Sequence, residues 1–403
     1  MDRLDRAKQI LEKLESYGYQ AYLVGGCVRD LLLGRPLGDI DICTSAMPEE
    51  VTSLFDRTIP TGIKHGTVTV VEKGQTFEVT TFRVEQGYRD YRRPDQVRFV
   101  QSLRQDLARR DFTVNAIAMD KRGQLFDYFG GLRDLQLRLI RTVGVAKERF
   151  QEDALRMVRA LRFSSQLGFT IDKAIFKAIE KHAGLLHEIS RERITAELRK
   201  MVLGDDLNLG LKLLVGSKLM LCQPFKLLEP ALQQAQTFNF GPLTELERWA
   251  VLLYQLSKAE RKSFLNQLRL PNSFVKPLIR LINLLDLKPH CTQVNQLDVL
   301  DPLEWSASEL LSLLKINQLK TERRLANDLS WQLEAYLKRL PLRSPQDLAI
   351  NGYDLQLLFK RPPGPWIRDM LSKVMEMVQR GHLPNRKEMI LSYLLERENY
   401  EPD

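Results

Sequence analysis

The chain has 403 residues, 44% hydrophobic and 28% charged, with 60 Lys+Arg against 51 Asp+Glu and a formal charge of +9. That length predicts two to four domains rather than one core, and the basic surplus favours an anionic partner, nucleic acid first. No apolar run approaches the ~18 residues that span a bilayer, the start Met1-Asp2-Arg3-Leu4-Asp5-Arg6 is charged and no signal peptide is expected, and four cysteines without a CxxC pair argue against a disulfide framework or a zinc site, so a cytoplasmic protein with no membrane partner is expected.

In chain order, residues 20–24, 39–43, 67–72 and 76–83 are rich in Val, Ile, Thr and Phe and predict strands. Glu72-Lys73-Gly74-Gln75 joins the last two as a hairpin turn, with Gly74 where a positive φ is needed. Beyond about residue 145 the β signal stops. Leucine-rich segments such as 207–214, 243–256 and 278–287 repeat at three- and four-residue spacing, the period of a buried helical face. Pro224, Pro230, Pro271, Pro289 and Pro341 mark helix boundaries there. The fold class is therefore α+β, a small mixed α/β head followed by an all-helical majority.

Two constellations carry chemistry. In Gly25-Gly26-Cys27-Val28-Arg29-Asp30 a strand ends, two glycines open the backbone, and a helix begins near Val28. Backbone N–H groups at such a turn can approach a phosphate, and Arg29 adds a fork of donors. Nine residues on comes Asp39-Ile40-Asp41. If the strand runs through all three, both carboxylates leave one face while Ile40 enters the core. Paired carboxylates suit Mg²⁺, a hard cation that seeks oxygen. Either element alone is weak evidence, since a Gly-Gly is usually a turn and an Asp-x-Asp a solvated strand end. Together, within seventeen residues, they are specific.

Leu23-Val24-Gly25-Gly26-Cys27-Val28-Arg29-Asp30 with Gly38-Asp39-Ile40-Asp41-Ile42 resembles the signature of class II tRNA nucleotidyltransferases, in the DNA polymerase beta superfamily. The resemblance continues at Arg109-Arg110-Asp111-Phe112-Thr113-Val114-Asn115-Ala116, at Glu152-Asp153-Ala154-Leu155-Arg156, which resembles the nucleotide-selecting motif, and at Arg191-Glu192-Arg193-Ile194, which resembles a motif that steadies the neck. It implies a nucleotidyltransferase head over 1–145, a helical neck over 146–205, a body over 206–320 and a tRNA-binding tail over 321–403. It also implies template-independent addition of CCA to the tRNA 3′ end from CTP and ATP. Asp39 and Asp41 would be catalytic and hold Mg²⁺, while Gly26, Arg29, Arg110, Asp153, Arg156, Arg159 and Arg162 would bind the nucleotide. No protein partner is implied. The alternatives are an A-adding relative, a bacterial poly(A) polymerase, and a non-catalytic RNA-binding module, the last disfavoured by the intact Asp39 and Asp41.

The nucleotide-selecting motif can be read without the resemblance. On one continuous helix, Asp153, Arg156, Arg159 and Arg162 sweep one side, and Ala154, Met157, Val158 and Leu161 the other. The plain reading is a solvated face with Asp153 and Arg156 paired at i,i+3. The functional reading uses the hydrogen-bond inventory. Cytosine and adenine share an exocyclic amine beside a ring-nitrogen acceptor, so a carboxylate and a guanidinium match both. Uracil and guanine reverse that order and leave both protein groups unpaired. Two further features are open: Glu78, a third carboxylate on the 76–83 strand, and the polar segment 84–95, which reads as a functional loop. In the resembled family, a flexible loop at this place serves the switch from C to A addition.

Overall fold

The computed structural model describes residues 3–89 and 93–398. It packs as two compact units, one up to Thr237 together with Gln255–Leu270, the other Phe238–Tyr254 together with everything from Pro271 on.

The first unit is built on a seven-stranded mixed sheet. Its strands are β1 (Ala21–Val24), β2 (Asp41–Thr44), β3 (Thr58–Gly62), β4 (Thr67–Glu72), β5 (Gln75–Thr81), β8 (Ile117–Met119) and β9 (Leu125–Asp127), in the order β3-β4-β5-β2-β1-β8-β9. β2 and β5 run parallel and the other neighbours antiparallel. The β4–β5 turn holds Lys73 at φ 47° and Gly74 at φ 79°, so the expected glycine sits where left-handed backbone is required. Helix Arg3–Ser16 buries Ala7, Ile10, Leu11 and Leu14, an i, i+3, i+4, i+7 stripe. Val24, Cys43, Phe82, Leu103, Leu107, Ala116 and Ala118 form one core around β1 and β2.

Three expectations are corrected. The second strand begins at Asp41, not Asp39. Val24 and Glu78 are the partners of Asp41 on either side, and beyond Val24 the chain turns away at Gly25 (φ 81°), so no ladder reaches Asp39. The segment 84–95 is not a plain loop but part of a two-stranded antiparallel ribbon, β6 (Arg83–Arg89) with β7 (Arg93–Phe99); its tip, 90–92, lies outside the described residues. Last, the helical part is not free of strands: β10 (Leu139–Ile140) pairs in parallel with β11 (Thr170–Ile171).

Downstream, helices Leu155–Leu167 and Arg191–Val202 pack side by side in the first unit. The second unit is helical among its described residues. Its Glu245–Tyr254, Asn272–Leu287 and Ala307–Thr321 helices pack together, and Leu342, Leu355, Val374, Val378 and Ile390 form a further core. Pro271 caps the Asn272 helix and Pro230 opens the Glu229–Ala235 helix as read from sequence, whereas Pro277 sits inside its helix. The α+β class holds. Among the described residues no helix is long and apolar enough to cross a membrane.

Candidate active site

Gly25 and Gly26 form the corner from which the site is built. Gly25 adopts φ 81°, and a Cβ there would stand 3.1 Å from Arg110 Nη1 and 3.9 Å from Asp41 Oδ2. Only glycine combines that backbone with that proximity. The helix starts at Gly26, two residues before Val28, and carries Arg29 inward. Arg29 donates to both Asp30 oxygens at 2.9 Å and to Asn115 Oδ1 at 2.7 Å. Asn115 donates to Asp111 at 3.3 Å, and Asp111 accepts from Arg159 Nε at 2.8 Å. Arg159 also reaches Glu197 at 3.3 Å, and Glu197 accepts from Arg162 Nε at 2.9 Å. A continuous polar chain thus ties the head to the two packed helices. Against the cost of burial, Arg159 holds Asp111 well below the usual carboxylate range.

The nucleotide-selecting segment departs from the sequence reading. One helix ends at Glu152 and the next starts at Leu155; Asp153 between them is extended, φ −139° and ψ 104°. The break has a local cause: Asp153 Oδ1 accepts from the Leu155 N–H at 3.0 Å, a turn that competes with the helix. Asp153 and Arg156 therefore do not share one face of a continuous helix. Asp153 instead takes both terminal nitrogens of Arg193, at 2.7 and 3.3 Å. Arg156 pairs with Glu152 and donates to the carbonyls of Arg149 (3.1 Å) and Arg109 (3.3 Å). Nor is the face solvated, because Arg156 and Arg162 are only 7% and 6% exposed, while Ala154, Met157, Val158 and Leu161 are buried as expected.

Near Asp41, burial first and then Glu78 and Asp39 push its carboxyl up to about 6, with Arg110 opposing. Arg110 pairs with fully buried Asp106 at 3.3 Å, while its Nε is buried with no hydrogen-bond partner. Asp39 is solvent-exposed and lies 3.5 Å from Arg3. Glu78 is Asp41's register partner on β5 and shares a small cleft with it, outside the main cavity. Among the described residues no group of three or more His, Cys, Asp and Glu is placed to hold a metal by itself. A destabilised carboxylate with one exposed companion instead fits a hard cation held by one or two carboxylates plus substrate phosphates.

All nine residues singled out in the sequence line one cavity of about 530 Å³: Asp39, Asp41, Gly26, Arg29, Arg110, Asp153, Arg156, Arg159 and Arg162. Glu85, Arg109, Asp111, Asn115, Phe163, Arg193 and Lys200 join them. Arg109, Asp111 and Asn115 stood in a quoted motif from which only Arg110 was taken, and Arg193 in one read as structural. Glu85 lies in the 84–95 segment read as a functional loop, whereas Lys200 carried no sequence signal.

Residues 21–141 match the family described as "Poly A polymerase head domain", 168–222 "Probable RNA and SrmB- binding site of polymerase A", and 241–394 "tRNA nucleotidyltransferase domain 2 putative". The CCA-adding enzyme of Bacillus cereus (strain AH820) is 40% identical over 398 residues, covering 98% of this chain and 99% of that protein. The chain belongs to the CCA-adding enzymes. The crystal structure of the Bacillus stearothermophilus CCA-adding enzyme in complex with CTP superposes with a TM-score of 0.89, at 38% identity and 99% coverage of both chains. That of the Thermotoga maritima CCA-adding enzyme complexed with tRNA gives 0.60 at 20% identity, a likeness of fold. The expected family, fold and template-independent nucleotidyl transfer all hold. The poly(A) polymerase alternative gives way, because relatives that match end to end are CCA-adding enzymes. Such nucleotidyltransferases use divalent metal ions.

Proposed function

We propose that this CCA-adding enzyme completes tRNA 3′ ends in the cytoplasm by attack of the terminal 3′-hydroxyl on the α-phosphate of CTP and then ATP, releasing pyrophosphate, with one protein site reading both bases. The observation that carries this is the cavity that Asp39 and Asp41 line together with Asp153 and Arg156. Mg²⁺ held by Asp39 and Asp41 would neutralise the triphosphate and favour the ionised 3′-hydroxyl. Asp153 Oδ2 accepts from Arg193 alone, so it has lone pairs for an exocyclic amine, while Arg156 donates to the adjacent ring nitrogen. Arg110, with an unpartnered Nε beside Asp41, takes a phosphate oxygen, assisted by Arg29 and the Gly26 backbone. Arg159 and Arg162 hold ribose and phosphates. Four buried free thiols suit a reducing compartment.

The direct test supplies CTP or ATP separately to tRNAs ending before CCA, after the first C, and after CC. C is expected on the first two and A on the third. Addition of A alone would mean an A-adding enzyme.

We assign the tRNA grip to the helical neck (146–205), body (206–320) and tail (321–403), acting through phosphates. Affinity should then fall steeply with salt, by about 10³- to 10⁵-fold between 50 and 200 mM if 6–10 phosphates are met, and vary little between tRNA species. A flat salt response measured by filter binding would contradict this mode.

The β6–β7 ribbon is tied to the site through Glu85, which accepts from Arg83 at 3.1 Å and Arg109 at 3.4 Å. A tight turn joining Gln86 directly to Gln96, which keeps Glu85, should spare C addition and depress the A step about tenfold or more, as expected of a conformational element. Equal loss of both steps in single-turnover assays would assign the ribbon to the general site instead.

A further inference from the structure

The cavity wall contains seven arginines, and each already donates to a carboxylate. Lys200 is the exception: it lines the same cavity, is exposed to solvent, and has no carboxylate partner among the described residues. Its position is built. Arg193, Glu197 and Lys200 follow at spacings of four and three, one stripe of the Arg191–Val202 helix. That helix runs parallel to Leu155–Leu167: Arg193 meets Asp153, Glu197 meets Arg159 and Arg162, and Ser165 Oγ donates to the Met201 carbonyl at 2.7 Å. At 1.5 Å per residue, Lys200 stands about 10 Å along the stripe from Arg193. Arg35 marks which end this is, since it lies 3.9 Å from Asp30 and 2.6 Å from Asp205, beside the Gly26–Leu32 helix.

We propose that Lys200 is a binding residue for a phosphate group in this cavity, at the end opposite the base reader. The inference rests on the reading of Asp153 as that reader, because a base held at Asp153 directs the sugar–phosphate portion of the bound nucleic acid along the stripe. An ammonium without a protein partner gives up no ion pair when an anion arrives, whereas every arginine on the wall must share its donors. Its compact charge suits a phosphate oxygen without demanding a fixed geometry. The phosphate belongs either to the triphosphate of the incoming nucleotide or to the backbone of the tRNA 3′ strand.

The test compares Lys200→Met, which keeps the aliphatic stem, with Lys200→Arg. The measurements are KM for CTP on tRNA lacking CCA, KM for ATP on tRNA ending in CC, and KM for each tRNA. Lys200→Met should raise one class of KM about tenfold with kcat within a few-fold, keep the melting temperature because no ion pair is broken, and keep rejection of UTP and GTP; Lys200→Arg should restore the KM. A raised KM for both nucleotides assigns the triphosphate, and a raised KM for tRNA assigns the backbone phosphate. Unchanged KM values throughout, or a loss that tracks a fall in melting temperature, overturn the proposal. Failure of the base-reader assignment shows separately, as retained selectivity in Asp153→Ala, and leaves these KM values to be judged by themselves.

Discussion

Asp41→Asn should lose at least about a thousandfold in single-turnover transfer, the effect of removing roughly 4 kcal/mol of charge stabilisation at the reacting phosphate. The same variant should not lose stability. In the metal-free protein, burial first and then Glu78 and Asp39 push the Asp41 carboxyl from 3.8 up to about 6, with Arg110 opposing. An acid whose pKa is higher folded than unfolded binds more protons in the folded state between those two values. Its contribution to stability therefore falls as pH rises from 3.8 to about 6 and stays lost above that window. Asparagine keeps the shape without the charge, so at pH 8 without metal the variant should melt at or above the wild-type temperature. Mg²⁺ should raise the wild-type melting temperature and leave the variant's unmoved, since a ligand stabilises only a state that binds it. Asp39→Ala should lose transfer likewise, although Asp39 is exposed, with Arg3 3.5 Å away at the surface. Near-normal transfer by Asp41→Asn, or a large fall in its melting temperature, would make this carboxylate structural.

Much of this site was legible because its residues are close together in the chain. Val, Ile and Thr runs placed β1, β4 and β5 to within a residue or two, and the Gly25–Gly26 turn lies where the chain must reverse. What escaped the sequence depends on distant partners. Nothing local says that Asp153 will be met by Arg193, forty residues on, or that Asp111 will take Arg159, forty-eight residues on. The helix break at Asp153 escaped for a different reason. Ala154, Met157, Val158 and Leu161 keep a helical period on their own, and the period is indifferent to whether the residue before them is helical. The ribbon was missed because its pairing is carried by the backbone of a polar segment, with no apolar alternation to reveal a strand. Asp39 was placed on a strand because a two-residue period fits Asp39 and Asp41, but a strand also needs a neighbour, and Gly25 removes it.

Asp153→Ala should relax nucleotide choice by about one to two decades, the factor attached to one charge-assisted hydrogen bond of ~1.5–3 kcal/mol. The carboxylate accepts the amine of cytosine or adenine and repels the carbonyl that uracil or guanine places there. Without it, Arg193 loses its partner and Arg156 keeps Glu152, so the donor half of the reader survives while the acceptor half is gone. Arg156→Ala should instead depress CTP and ATP together, because both use the same donor. Metal dependence should persist in both variants, since Asp39 and Asp41 stand on another element. The measurement that bears most directly on a protein-supplied template is single-turnover incorporation of all four nucleotides by wild type and Asp153→Ala, on tRNA lacking CCA and on tRNA ending in CC. The expected result is UTP and GTP incorporation by the variant at rates approaching its own CTP and ATP rates, with the Mg²⁺ requirement intact. Full retention of CTP and ATP selectivity by Asp153→Ala would contradict the account and leave the Asp153–Arg193 pair as a structural ion pair.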